Sequence, residues 1–222
     1  MKVNTDGVLL GAWVSLSSED TLLMDIGTGT GVMALIVAQR LSDLSEHPFR
    51  IEAIDIDEAS VCEAADNFAS SPWKESLRAE NCRLQSYRRQ CKEFDLLFCN
   101  PPYFKDSLKA PSLRRSNARH EESLPGPDII VGAKELLSPH GRLSLILPPV
   151  EGDGFITITK GNGLYLNRIC KVKSRPGLEV KRYMMEFSFR QTDLMEESLT
   201  IQEESDYTAE YKSLTKDFYL NF

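Results

Sequence analysis

Asp25-Ile26-Gly27-Thr28-Gly29-Thr30-Gly31 lies between an apolar run of strand length, Thr21–Ile26, and a helical pattern, Thr30–Leu41, with Val32, Leu35, Ile36 and Gln39 at helical spacing. Three glycines at a strand-to-helix turn let a ligand approach the backbone and leave the helix N-terminus open. The same strand-then-helix alternation continues down the chain, which predicts an α/β fold: a mostly parallel sheet with helices on both faces. Ile51–Ile56 reads as the second strand and Glu58–Ala69 as the second helix, stopped by Ser70-Ser71-Pro72. Asn81–Ser86 is a weak third strand, Phe94–Cys99 a clear fourth, and Arg142–Leu147 a fifth after a helix over Asp128–Leu137. Lys105–Pro127, rich in Pro, Ser, Asn and charge, reads as a long loop, and loops of such length in compact domains usually serve function or are disordered. Gly154–Gly161 reads as a short helix. Leu164–Lys173 and Arg182–Phe189 are expected to form an antiparallel hairpin about Arg175-Pro176-Gly177, giving seven strands in all. Tyr207, Tyr211, Leu214, Phe218 and Tyr219 make a helical stripe over 206–222 that should pack on the core.

Asn100-Pro101-Pro102-Tyr103 follows the fourth strand. Two prolines cannot continue a sheet ladder or enter a helix interior, so the strand ends there and Asn100 projects from its carboxyl end, where open parallel sheets bind ligands. An amide, a stiff turn and an aromatic ring suit a flat, neutral substrate carrying an NH2 group. The bland reading is a Pro-Pro turn capped by Asn.

The glycine turn runs G-x-G-x-G, without the wider final gap of a dinucleotide fingerprint. It also opens with a carboxylate, Asp25, expected to face the ligand crevice. That charge would repel a pyrophosphate and attract an ammonium group; S-adenosylmethionine carries an ammonium, a sulfonium and one carboxylate. Asp55, at the end of the second strand, can accept both hydrogen bonds of a ribose diol. Either acid could instead be a turn-former. Glu58 reads more simply as a first-turn residue of the next helix.

The 222 residues, 41% of them hydrophobic, can bury one substantial core. No apolar run approaches the ~18 residues that span a bilayer, and the start lacks a secretion signal, so a cytosolic chain is expected. Cys62, Cys82, Cys91, Cys99 and Cys170 form no C-x-x-C pair, which predicts neither disulfides nor a metal site. Cys99 lies beside the suspected site without a histidine to activate it; His47, His120 and His140 fall in expected loops and are assigned no chemistry. The net charge of −7 argues against non-specific coating of nucleic acid. Lys105, Lys109, Arg114, Arg115 and Arg119 nevertheless follow Tyr103 with only Asp106 opposing them, a set suited to phosphates.

Asp25–Gly31, Asp55 and Asn100–Tyr103, in that order and on those elements, resemble the class I S-adenosylmethionine-dependent methyltransferases. The closer resemblance is to the bacterial tRNA1(Val) adenine-N6-methyltransferase family, carried by Lys2 to Trp13, by Asn67-Phe68-Ala69-Ser70-Ser71-Pro72-Trp73, and by Glu210-Tyr211, Leu214-Thr215 and Phe218-Tyr219-Leu220. The family carries a further segment before its Thr-Asp-Gly motif, whereas this chain starts almost on it; one methyltransferase domain over 1–222, short of that segment, is expected. The resemblance implies S-adenosyl-L-methionine as cofactor and tRNA as substrate, with no metal and no membrane. It implies cofactor contacts from Thr5, Asp6, Asp25, Gly27, Gly29, Gly31, Asp55, Ile56 and Ser86. Catalytic contacts would come from Asn100, Pro101, Pro102 and Tyr103, and substrate contacts from Phe104, Lys105, Arg114, Arg115 and Arg119. Where the family tends to place an acid after the third strand, this chain has Gln85-Ser86.

The reaction so implied is an in-line methyl transfer to an exocyclic adenine nitrogen, with the Asn100 oxygen and the Pro101 carbonyl accepting its N–H bonds. The same residues suit DNA-adenine, rRNA-base and protein-glutamine methylases, and a non-catalytic RNA-binding module is the alternative of another class. A nicotinamide dehydrogenase fits the glycine spacing least.

Overall fold

A computed structural model describes residues 5–87, 93–102 and 124–219. Helix α1 (Thr5–Trp13) comes first, followed by β1 (Leu22–Ile26), α2 (Val32–Leu44), β2 (Arg50–Asp55), α3 (Glu58–Ala69), β3 (Leu77–Asn81) and a 3-10 turn (Leu84–Ser86). Next are β4 (Phe94–Cys99), α4 (Gly126–Leu136), β5 (Leu137–Leu147), α5 (Pro149–Lys160), β6 (Tyr165–Lys173), β7 (Val180–Ser188) and β8 (Met195–Thr200). A two-residue ribbon, β9 (Gln202–Glu203) with β10 (Asp206–Tyr207), leads into α6 (Ala209–Thr215) and a closing 3-10 turn.

The main sheet has the order β3-β2-β1-β4-β5-β7-β6-β8. Strands β1 to β5 are mutually parallel, and β7 runs antiparallel between β5 and β6. Side chains alternate between faces, as the strand period requires. Leu23, Leu96 and Ile146 join α1, α2 and α3 in one core, while Met24, Leu97 and Leu145 join α4 and α5 in the other.

The sheet has eight strands rather than the expected seven. The additional one, β8, reads Met-Glu-Glu-Ser-Leu-Thr and buries only Leu199, so it carries no apolar alternation. It lies parallel to β6 and is fastened by charge: Lys171 Nζ meets Glu196 at 2.7 Å, and Arg168 meets Glu197 at 3.0 Å. A charged edge of this kind also discourages pairing with another chain. The third strand is Leu77–Asn81, not Asn81–Ser86; the apolar signal at Leu84 belongs to the 3-10 turn, whose side chain packs against Gly132 of α4. Helix α5 starts at Pro149 instead of Gly154, with proline in the first turn, where its missing N–H costs nothing. Strand β5 starts at Leu137, so His140 lies in a strand and not a loop. The stretch 105–123 of the expected long loop lies outside the described residues, and Gly126 and Pro127 already belong to α4.

Helix α1 has no amphipathic signal because it is apolar on every side: Gly7 to Trp13 are all buried. Its C-terminal carbonyls, which have no partner within the helix, are taken by arginines. Arg40 Nη1 donates to Gly11 O at 2.8 Å and Val14 O at 2.9 Å, and Arg168 Nη1 donates to Trp13 O at 3.0 Å. The Arg168 guanidinium also lies 4.0 Å over the Trp13 ring and grips Glu197 through two nitrogens, while Trp13 Nε1 donates to the same carboxylate at 2.7 Å. This cluster joins α1 to β6 and β8. Tyr211 of α6 is buried in the same core. Because hydrogen bonds to charged groups contribute ~1.5–3 kcal/mol each, Arg168→Leu should cost about 2 kcal/mol of stability. Urea unfolding should show a lower midpoint with an unchanged slope; an unchanged midpoint would mean the cluster is ornamental.

Candidate active site

The chain leaves β1 through α2 to β2 on one side, and β4 lies on the other side of β1. That reversal is the switch point at which open α/β sheets hold ligands. The register fixes what meets there. Ile26 is paired with Ile54 and with Cys99, so Gly27, Asp55 and Asn100 stand abreast at the carboxyl ends of three adjacent strands. With neighbouring strands about 4.8 Å apart, Asp55 and Asn100 flank the glycine turn at a separation of roughly 10 Å.

Gly27, Gly29 and Gly31 all have left-handed backbone, φ 73, 57 and 80°, a conformation costly for residues with a Cβ. The two outer glycines answer different needs. A Cβ at Gly27 would meet nothing within 4 Å, so the space above it is open to a ligand. A Cβ at Gly31 would stand 2.5 Å from the Phe68 ring, so this glycine lets α3 close on the turn. Asn67 Nδ2 donates to Thr30 O at 2.9 Å from the same helix. The amides of Gly27 and Thr28 both donate to Ile54 O, at 2.8 and 3.0 Å.

Asp55 is half-buried and already at work. Its Oδ2 accepts the Gly29 N–H at 2.9 Å and its Oδ1 the Asp57 N–H at 3.0 Å. Each carboxylate oxygen offers about two acceptor positions, so a ribose diol can still be bound on the open side. Ile56, the next residue, is 42% exposed and offers an apolar surface beside that acid. Asp57 caps α3 by accepting from Ser60 N and Oγ, which hold its carboxyl below the usual range.

Asp25 does not stand open in the crevice as expected. It is fully buried beneath the turn, with Oδ2 accepting from the Thr28 hydroxyl at 2.8 Å and Oδ1 lacking a hydrogen-bond partner among the described residues. Burial pushes its pKa up to about 7 against the lowering influence of the Thr28 hydroxyl and the Ala34 amide; Asp55 nearby raises it further. An orphaned buried carboxylate oxygen fits a ligand that brings a cationic N–H donor.

Asn100 is half-buried, Pro101 buried and Pro102 exposed. Cys99 is buried, and its thiol is pushed well above the usual range by burial and by Asp25 and Asp55. It packs as a small hydrophobe. Thr5 is exposed at the start of α1, and Asp6 is engaged by Arg182 Nε of β7 at 2.7 Å. Ser86 is exposed in the 3-10 turn; its neighbour Gln85 donates to Asp128 at 2.7 Å, which ties that turn to α4. Tyr103, Phe104, Lys105, Arg114, Arg115 and Arg119 lie outside the described residues. Among the described residues no group of three His, Cys, Asp or Glu could hold a metal ion, and no helix is long and apolar enough to cross a membrane.

Thr28, Asn67 and Phe68 also build the site, roles that no local pattern in the sequence reveals. Asn67-Phe68 is visible as a motif, but what it grips, the Thr30 carbonyl and the Gly31 backbone, lies 37 residues away in the chain.

The raised Asp25 pKa has a definite sign. The unfolded carboxyl ionises near 3.8 and the folded one near 7, so this residue's contribution to stability is intact below pH 4 and is lost as pH rises through 7. Asp25→Asn should therefore stabilise the ligand-free protein above pH 7, by at most ~4 kcal/mol at ~1.4 kcal/mol per pKa unit. The gain should vanish near pH 4. Denaturant midpoints from pH 4 to 8 test this, and a difference independent of pH would contradict it.

Residues 12–150 match the methyltransferase small domain family. The tRNA1(Val) (adenine(37)-N6)-methyltransferase of Vibrio vulnificus (strain YJ016) is 39% identical across 99% of this chain and 89% of its own. The protein of the same name from Bacteroides fragilis (strain YCH46) is 40% identical across 99% of this chain and 91% of its own. Among solved structures, a predicted O-methyltransferase from Agrobacterium tumefaciens superposes with a TM-score of 0.70 at 19% identity, covering 96% of both chains. The type I restriction-modification methyltransferase subunit of Streptococcus thermophilus superposes with a TM-score of 0.65 at 14% identity, over 97% of this chain and 52% of that one. The two structural likenesses establish the class I methyltransferase fold, and the sequence matches establish more: the chain belongs to the methyltransferase small domain family and, within it, to the family of the tRNA1(Val) (adenine(37)-N6)-methyltransferases.

Proposed function

We propose that this chain methylates the exocyclic N6 of an adenine in the anticodon loop of tRNA1(Val), with S-adenosylmethionine as donor, as a single cytosolic methyltransferase domain. The observation that carries the reading is the alignment of Gly27, Asp55 and Asn100 around an open glycine turn, in a chain whose relatives bear that activity in their names.

The residues present fit the donor. Asp25 offers an unpartnered buried oxygen for an ammonium, Asp55 retains acceptor positions for a ribose diol, and Ile56 offers an apolar surface for a purine. Gly27 leaves the backbone open to close approach, while Thr5, Asp6 and Ser86 border the same end of the sheet. S-adenosylmethionine, when bound, supplies a methyl group on a positively charged sulfur.

The acceptor nitrogen is a poor nucleophile because its lone pair is delocalised into the ring. The Asn100 side-chain oxygen and the Pro101 carbonyl each accept one of its N–H bonds and so favour the pyramidal geometry that frees the lone pair. Pro102 stiffens the turn, and Tyr103 stacks on the base. As the new N–C bond forms at the expense of the S–CH3 bond, with a neutral thioether as leaving group, the N–H would become strongly acidic and its proton would pass to water, so no strong base is needed. Alignment then accounts for most of the acceleration, within the ~7–11 kcal/mol available to positioning. An anticodon-loop base unstacks more cheaply than a paired one. Phe104, Lys105, Arg114, Arg115 and Arg119 would hold the flanking nucleotides.

Label transfer from tritiated donor into unmodified tRNA1(Val) transcript, duplex DNA and protein tests the reading; label in the transcript alone is expected. Asn100→Ala should bind the donor normally yet lose at least a hundredfold in turnover, the scale of a missing catalytic hydrogen bond; near-normal turnover would remove Asn100 from the mechanism. Asp55→Ala removes the ribose acceptor and also frees the Gly29 and Asp57 amides, so donor affinity measured by calorimetry should fall at least tenfold. Unchanged affinity would put the ribose elsewhere.

A further inference from the structure

The end of β6, the turn that follows and the start of β7 read Lys171-Val172-Lys173-Ser174-Arg175-Pro176-Gly177-Leu178-Glu179-Val180-Lys181-Arg182: five cations and one acid in twelve residues of a chain whose net charge is −7. Two of the five are committed, Lys171 to Glu196 and Arg182 to Asp6. Lys173, Arg175 and Lys181 have no ion-pair or hydrogen-bonded side-chain partner among the described residues, and Arg175 and Lys181 are exposed.

Three features make this more than a solvated charge run. Its tip is rigid: Pro176 and Gly177, the latter at φ 75°, occupy the central positions of a turn closed by the Leu178 N–H donating to Arg175 O, the residue pattern of a type II turn. Its position is fixed by register. Tyr183 pairs with Leu147, the last residue of β5, so everything from Ser174 to Arg182 projects past the carboxyl edge of the sheet, the edge that carries Asn100. Strand β7 is second from β4, so the base of the arm stands roughly 10 Å to the side of Asn100. Its root is anchored, because the Asp6–Arg182 pair ties β7 to the first turn of α1.

We infer that the β6–β7 hairpin is a fixed phosphate-binding arm that holds the RNA backbone beside the nucleotide entering the site, through Lys173, Arg175 and Lys181. This rests on the proposed tRNA substrate and extends it to cations outside the sequence stretch 105–119. Leu178, 48% exposed at the tip, gives the arm an apolar point against which a sugar or base edge can rest. Glu179 opposes the cations and limits the attraction.

The test uses the whole chain and unmodified tRNA1(Val) transcript. A Lys173→Gln, Arg175→Gln, Lys181→Gln triple variant should bind the transcript about tenfold more weakly at ~0.1 M salt. Its log–log salt slope should be shallower by about 2, given ~0.7–0.9 for each phosphate no longer neutralised. KM for the transcript should rise at least fivefold, while kcat at saturating transcript and donor affinity stay within twofold. Glu179→Gln should lower the same KM, which guards against reading a folding defect as weakened binding. If the wild type methylates the transcript and the triple variant keeps its KM and salt slope, the arm is overturned and the function stands. If the wild type neither binds nor methylates the transcript, the arm falls together with the function it rests on.

Discussion

Two consecutive residues at the end of β2 hold the site together. The Ile54 carbonyl accepts the Gly27 and Thr28 amides, and the Asp55 carboxylate accepts those of Gly29 and Asp57. The Asp55 carbonyl accepts the Cys82 amide at 3.0 Å and Asn81 Nδ2 at 3.1 Å. One strand end thereby fixes the turn after β1, the start of α3 and the exit from β3, while Asn67 and Phe68 close the turn from the side. A loop with three residues in left-handed backbone is fixed in shape by these bonds, which would lower the ordering cost of the donor binding proposed above.

The buried acids show where structure ends and chemistry begins. Asp20 is matched to Arg142 at 2.6 Å, Glu52 accepts from the Tyr87 hydroxyl, and Glu186 accepts from Ser144 Oγ and the Ser15 amide. Each is anchored where two parts of the chain meet. Asp25 differs: among the described residues it is the buried carboxylate with an oxygen left over, and burial raises its pKa to about 7. A carboxyl kept in that condition directly beneath the glycine turn is consistent with the donor-binding role proposed for it.

Much of this is legible in the sequence, for physical reasons that also explain what is not. Strands β1, β2 and β4 are apolar runs ended by Gly, Asp or Pro, so their existence, order and carboxyl ends can be read, and with them the places of Gly27, Asp55 and Asn100. Helix α1 cannot be read because periodicity reports a helix with one wet face, and α1 has none. Strand β8 is hidden because its pairing depends on Lys171 and Arg168 and not on apolar alternation. The burial of Asp25 beneath Thr28, and the extra duties of Asp55 and Phe68, arise from three-dimensional contacts that no local pattern encodes.

On the proposed function, the turn between Asp55 and Asn100 seats the methyl donor with its sulfur toward the Asn-Pro-Pro corner. A crystal structure with S-adenosylhomocysteine measures this directly. Ribose hydroxyls should lie within hydrogen-bond distance of the Asp55 carboxylate, the amino group should reach Asp25 Oδ1, and the sulfur should face Asn100. A ligand seated away from the glycine turn, or with its sulfur turned from Asn100, would contradict it.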